Sequence, residues 1–186
     1  QLNLGTDNEI GLGLKLGRNV LSQANGNTLS VELAYSNSDN AIENIQFMNT
    51  NFSTGSGTAE GSLQVETTLA RAVYKFDLGS VKPYVSVGIG ETDLEVDARY
   101  GMSVGQGREA RPPFASGSDS ATALELRAGI EYSLSEQFGL FLEYSTTDVD
   151  DVQFSRLGGG PGGLATTIQE GDFDFNSLNI GVSYHF

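Results

Sequence analysis

Cysteine and tryptophan are absent from this 186-residue chain, proline occurs only 4 times, and the one histidine, His185, stands next to the last residue. Each absence removes a class of protein. Without cysteine there is no disulfide framework, no thiolate metal site and no thiol nucleophile. No run approaches the roughly 18 apolar residues of a membrane-spanning helix. No basic segment with an apolar core opens the chain, so any export signal is expected to be gone already. Basic residues are scarce too: 10 Lys and Arg against 24 Asp and Glu give a net charge of −14. Such a chain repels nucleic acid, whose binding runs on clustered Lys and Arg. A sustained 3.6-residue apolar period is missing, so no helix is expected. The length is that of one domain, taken as residues 1–186.

What is present is glycine, 24 residues of it, and alternation. The most regular stretch is the last, with Leu178, Ile180, Val182, Tyr184 and Phe186 on one face and Asn179, Gly181, Ser183 and His185 on the other. A strand of that pattern has a dry side and a wet or confined side. Six more stretches alternate in the same way. Residues 9–17 place Leu12, Leu14 and Leu16 opposite Gly13, Lys15 and Gly17, and 28–36 place Leu29, Val31, Leu33 and Tyr35 opposite Glu32 and Ala34. Residues 63–76 end with Ala70, Ala72, Tyr74 and Phe76 opposite Arg71, Val73 and Lys75. In 82–99, Val85, Val87 and Ile89 alternate with Tyr84, Ser86 and Gly88, after which Leu94 and Val96 break phase, as a β-bulge near Glu91 would explain. Residues 121–133 and 138–148 set Leu124, Leu126, Ile130, Tyr132, Phe138, Leu140, Leu142 and Tyr144 against Glu125, Arg127, Glu131 and Glu143.

The links alternate short and long. Those at 77–81 and 134–137 are short, whereas 37–62, 100–120 and 149–173 are long and rich in Gly, Ser, Asn and Asp. Short turns on one side and long loops on the other characterise outer-membrane barrels, whose lipid-facing residues alternate with lumen-facing ones. The slightly negative mean hydropathy of −0.20 is no obstacle, because lumen and loop residues dilute the lipid face. The expected fold is all-β: an antiparallel up-and-down transmembrane β-barrel of eight strands, seven of them clear. The eighth is assigned ahead of Glu9, with Gln1 to Asp7 as its tail. With the C-terminus in the periplasm, Tyr74, Phe76, Tyr132, Phe138, Tyr184 and Phe186 fall at periplasmic strand ends, and Tyr35 and Tyr144 at outer ends. Amphipathic rings belong at those two interfaces.

Several segments carry a family resemblance: 82–90 (KPYVSVGIG), 128–132 (AGIEY), 140–144 (LFLEY) and the closing 181–186 (GVSYHF). Together they resemble the OmpA/OmpX-like small outer-membrane barrels, over most of residues 9–186. The terminal Phe186, preceded by apolar residues at alternate positions, resembles the assembly signal of that class. The resemblance implies a bacterial outer-membrane location, contact with membrane lipid and lipopolysaccharide, and recognition of the last strand by the barrel-assembly machinery. It implies neither cofactor nor enzymatic activity.

Three groups of residues invite a chemical reading. Lys15, Glu32, Arg71, Lys75, Glu125, Arg127, Glu131 and Glu143 share the lumen face. They form either a gated ion path or a salt-bridge network filling a narrow interior, in which charges must pair or meet water. His185 with Ser183 is the sole acid–base combination, and no nucleophile motif accompanies it. Asp148, Asp150, Asp151, Asp172 and Asp174 are candidates for Ca²⁺ on carboxylate oxygens, or else a solvated acidic rim. The leading expectation is a non-enzymatic barrel whose long acidic loops serve surface interaction, adhesion, envelope integrity or an outer-membrane assembly with an envelope or surface partner. A small porin-like channel is the alternative, and a lipid-modifying enzyme a third.

Overall fold

The computed structural model describes the backbone of residues 2–6, 11–47, 55–100, 113–158 and 165–186. All of its regular structure is β: β1 (Leu2–Thr6), β2 (Leu12–Ser22), β3 (Thr28–Phe47), β4 (Gly55–Lys75), β5 (Val81–Tyr100), β6 (Pro113–Ser133), β7 (Phe138–Gly158) and β8 (Ala165–Tyr184). From β3 onward each strand pairs antiparallel with the next. β1 and β2 both pair with β3, at Leu2↔Phe47 and Leu12↔Asn37, so they lie end to end in a single row. Seven rows result, curled around a common interior.

Two expectations are corrected here. Within the segment assigned to a separate eighth strand, Leu2–Thr6 instead pairs with the upper part of β3 in line with β2, while Gln1 and Asp7 lie outside the described residues. The bulge near Glu91 is absent as well. The β4–β5 ladder runs without a shift from Ala59↔Tyr100 to Lys75↔Tyr84, and β5–β6 runs on through Glu91↔Thr122. What changes at Glu91 is the surroundings, not the backbone phase.

The strands are far longer than their apolar stretches, and the faces exchange character along them. Near the short turns, the outward face is apolar: Val85, Val87 and Ile89 on β5, and Leu124, Leu126 and Ile130 on β6, are all exposed. Beyond that belt the outward positions become Glu91, Asp93 and Glu95 on β5 and Ser118, Ser120 and Thr122 on β6. The inward positions become Leu63, Val65, Leu94, Val96, Val149 and Val152, all buried. The segments 37–62, 100–120 and 149–173, expected as loops, therefore contribute strand at both ends. Backbone pairing continues for as long as the inward side chains form a core, whatever the outward face meets.

Residues 124–132 span about 27 Å at the usual rise per residue, close to the height of a membrane barrel's apolar band. An exposed apolar belt of this extent has no place on a soluble monomer. Its turn-side border is lined with rings. Tyr74 meets Phe76 edge-on at 4.9 Å, Phe138 lies 5.1 Å from Tyr184, and Tyr184 lies 6.4 Å from Phe186. Tyr132 is exposed at the same level, while Tyr35 and Tyr144 mark the far border. The Tyr74 hydroxyl leaves the belt for the β2–β3 turn, accepting from Asn27 Nδ2 at 3.1 Å and donating to Gln23 Oε1 at 3.3 Å. That turn needs glycine: Gly26 has φ +85°, with Asp77 packed where a side chain would project.

Candidate functional site: the interior charge network

Strand alternation turns one face of every row inward, and the eight charged residues expected there all pair. Glu143 on β7 is the hub. Its Oε2 accepts from Lys15 Nζ at 2.8 Å, Tyr84 Oη at 2.6 Å and Arg127 Nη1 at 2.9 Å. Arg127 spends its other donors on Glu32, Nη2 to Oε2 at 3.0 Å, and on Ser86 Oγ, from Nε at 2.9 Å. Next to this cluster Arg71 Nη2 donates to Glu125 Oε2 at 2.7 Å. At the turn end Lys75 Nζ lies 2.9 Å from Glu131 Oε2, and His185 Nε2 lies 3.0 Å from Glu131 Oε1. The four cations Lys15, Arg71, Lys75 and Arg127 thus match four carboxylates, Glu32, Glu125, Glu131 and Glu143. Charges so enclosed are tolerable only in pairs, since an uncompensated one is strongly destabilising.

Glycine makes the pairings possible. In the register Arg71↔Gly88↔Glu125, the ion pair passes over β5 where Gly88 leaves room, for a Cβ there would stand 3.0 Å from Arg71 Cγ. Tyr84 crosses β6 over Gly129 in the same way to reach Glu143. Phe141 covers Gly181 on β8, and Lys15 Nζ sits 3.7 Å from the centre of that ring. Small inward residues and long charged ones alternate because the latter lie across the former. Gly129→Val tests this directly. A Cβ there would stand 2.6 Å from Tyr84 Cζ and 2.8 Å from the backbone oxygen of Leu142. A loss of about 1–3 kcal/mol is expected in unfolding measured in lipid vesicles, as for overpacking elsewhere.

Sequence reasoning missed Tyr84, Ser86 and Phe141 as members of the network. Their inward parity was visible in the alternation, but which partner each reaches depends on register across several strands. It also missed the apolar packing of Leu63, Leu94, Val96, Val149 and Val152 on the loop side of the charges.

Ser183, His185 and Glu131 have the composition of an acyl-transfer triad but not its geometry. Ser183 Oγ at 3.4 Å and Glu131 Oε1 at 3.0 Å both approach the same nitrogen, His185 Nε2. A histidine that activates a hydroxyl is oriented through its other nitrogen. The arrangement holds the chain end in place instead, supported by His185 N donating to Gln137 O at 2.8 Å.

Of the carboxylates considered for Ca²⁺, Asp148 and Asp174 are cross-strand partners and face outward, as Asp150 does. The side chains of Asp151 and Asp172 lie outside the described residues. Among the described residues no three His, Asp or Glu side chains gather as a metal site. A shallow concavity of about 490 Å³ opens on the outward face beyond the belt, lined by Gln64, Glu66, Asp93, Glu95, Ser118 and Ser120, with Ser120 Oγ bonded to Asp93. It is acidic and hydroxyl-rich. The assembly-signal positions Leu178, Ile180, Val182, Tyr184 and Phe186 all project outward and are exposed.

A family model described as outer membrane protein beta-barrel domain matches residues 1–186, in keeping with the resemblance to small OmpA/OmpX-like barrels. Comparison with curated proteins finds no match. The exposed belt thereby acquires its solvent, the hydrocarbon of an outer membrane, and the chain belongs to the outer membrane protein β-barrel family.

Proposed function

We propose that this protein is a non-enzymatic surface post: a membrane-anchored barrel that lifts an acidic outward face above the lipid for interaction with envelope or surface partners. The observation that carries the reading is the exchange of faces along β4 to β7. On the loop side of the belt the outward positions include Glu66, Glu91, Asp93, Glu95, Asp97 and Asp148, while the inward ones include Leu63, Val65, Leu94, Val96 and Val149, all buried. A strand needs about 9–11 residues to cross the bilayer, and β4 to β8 each run to 20 or 21. In this reading the short turns and Phe186 are periplasmic, and the extra strand length stands outside the cell. Lipid and lipopolysaccharide surround the belt, and the last strand addresses the barrel-assembly machinery. The acidic face would favour basic partners by complementary charge.

The channel alternative requires a hydrated path from end to end. Against it stand the mutually paired interior charges and the apolar core beyond them, with Leu94 and Val149 at most 1% exposed. One pair of measurements tests both readings. Purified barrel in planar bilayers is expected to give no single-channel steps. Cells displaying it are expected to bind surfaces coated with basic protein, and to lose that binding in 0.5 M salt, where the Debye length falls to less than half of the roughly 10 Å it has at 0.1 M, or on replacing Glu91, Asp93, Glu95 and Asp97 with their amides. Stable conductance, or binding indifferent to both salt and the four replacements, contradicts the proposal.

A further inference from the structure

We propose that Arg18 is a headgroup site: its guanidinium binds the phosphate of a glycerophospholipid in the leaflet on the turn side. The contact presupposes the membrane reading above and gives it one specific point of attachment.

Arg18 is the exception in an otherwise uncharged surface. From β3 to β8, none of the outward positions between the aromatic borders is charged; they hold residues such as Leu33, Val87, Leu126 and Ile180. On β2 the outward positions run Leu12, Leu14, Leu16 and then Arg18, all exposed. Neighbours on both sides fix that parity. Asn19 Oδ1 accepts from Ser30 Oγ at 2.8 Å, and Ser30 is buried. Arg18 pairs with Val31, whose side chain is exposed.

No described carboxylate answers this charge. Glu32, on the adjacent strand, points inward to Arg127 at 3.0 Å. Asp77, at the turn end, accepts from Gly79 N at 3.0 Å and packs against Gly26. An arginine alone on a lipid face is costly at the midplane, and the cost falls steeply toward the interface. The anions of a bilayer lie at that interface.

The span to the interface fits an arginine. Leu29 pairs with Leu21 on one side and with Tyr74, a member of the turn-side ring border, on the other. Val31, opposite Arg18, lies two residues farther along β3, about 7 Å at the antiparallel rise. An arginine extended toward the turn covers that distance, with its stem on apolar surface and its head at the border. The backbone supplies the surface. The β2–β3 ladder shifts between Asn19 and Leu21, which makes Val20 the extra residue of a β-bulge. Val20 and Leu21 are both exposed in consequence, between Arg18 and the border. The planar fork of guanidinium donors matches two phosphate oxygens at once, which a lysine does not reproduce.

The test compares two kinds of vesicle, phosphatidylcholine and the phosphate-free digalactosyldiacylglycerol, with urea unfolding as the readout. In phosphatidylcholine, Arg18→Gln is expected to lower the folded-to-unfolded ratio about tenfold or more, the size of a hydrogen bond to a charged group. In the galactolipid it is expected to leave the ratio unchanged or raise it, and added inorganic phosphate should alter neither protein. Equal effects of Arg18→Gln in the two lipids overturn the proposal. So does a response to inorganic phosphate, which would make this a site for the free ion.

Solid-state NMR reads the contact itself. With ¹³C-labelled arginine, dephasing of the Arg18 Cζ resonance by lipid ³¹P is expected, and that resonance should vanish in Arg18→Lys. An Arg18 Cζ without dephasing overturns the proposal. Leu126→Arg in both lipids is the control. If it is costly in each while Arg18→Gln ignores the lipid, only the headgroup site fails; if it is tolerated in each, the membrane reading fails and the site with it.

Discussion

Glu143→Ala is expected to destabilise the barrel by about 3–5 kcal/mol, the range for removing one partner of a buried ion pair. The mechanism is local and asymmetric. Glu143 Oε2 receives Lys15, Tyr84 and Arg127 together, and Glu143 is buried. Without it Arg127 keeps Glu32 and Ser86. Lys15 keeps only the face of Phe141, and the Tyr84 hydroxyl loses its acceptor. Two rows that are not neighbours, β2 and β7, also lose their link across the interior. Urea unfolding in lipid vesicles, followed by the heat-modifiable gel band, reads the change. Glu136→Ala, on the exposed β6–β7 turn, should fall within about 0.5 kcal/mol of the parent. A loss below about 1 kcal/mol for Glu143→Ala, the scale of an exposed pair, would mean that water reaches the network freely.

Leu126→Arg is expected to cost about 2–4 kcal/mol in the same assay, as a basic residue does at the middle of a barrel's lipid face. Leu126 projects outward from β6 at mid-belt, with Leu124 on one side and Ile130 on the other. Thr122→Arg, one outward position past Leu124, stands where the outward face turns polar and should cost about 0–1 kcal/mol. The contrast between two positions on one strand is what identifies hydrocarbon. If the outward face met water, both arginines would be tolerated alike, within about 0.5 kcal/mol.

Much of this architecture is legible in the sequence, because strand parity is a local rule. Leu124, Leu126 and Ile130 face away from Glu125, Arg127 and Glu131 in any strand, whatever lies on either side. The aromatic borders follow from the same parity. The exchange of faces is less legible. A window over residues 85–96 sees Val85, Val87 and Ile89 followed by Leu94 and Val96 out of step, and a bulge is the local explanation for such a shift. The unbroken ladder Glu91↔Thr122, Leu94↔Asp119 gives the other one: the backbone phase holds while the apolar side turns from the outside to the core.

The interior was legible as a list and not as a network. Composition and parity place Glu143 and Arg127 on one face. That Glu143 should collect Lys15 from the first full row and Tyr84 from β5 depends on curvature and stagger, which no stretch of the chain encodes by itself. Alternation places the glycines on the inward face and says nothing of what lies over them. Gly88, Gly129 and Gly181 instead mark where a neighbouring long side chain crosses the strand. The first row was misread for a related reason: Leu2 and Leu4 alternate like any strand, and only pairing with β3 reveals that they continue β2's row.

The account depends most on what each face of β6 touches, and a cysteine-free chain allows that to be measured residue by residue. Single cysteines at positions 120–131, spin-labelled in lipid vesicles, report collision with oxygen, which concentrates in hydrocarbon, and with a nickel chelate, which stays in water. High oxygen accessibility is expected at 124, 126, 128 and 130, and low accessibility to both agents at 125, 127, 129 and 131. The outward positions 120 and 122 should respond to the nickel chelate instead. Nickel accessibility at 126 and 130, or oxygen accessibility at 125 and 127, would contradict the account.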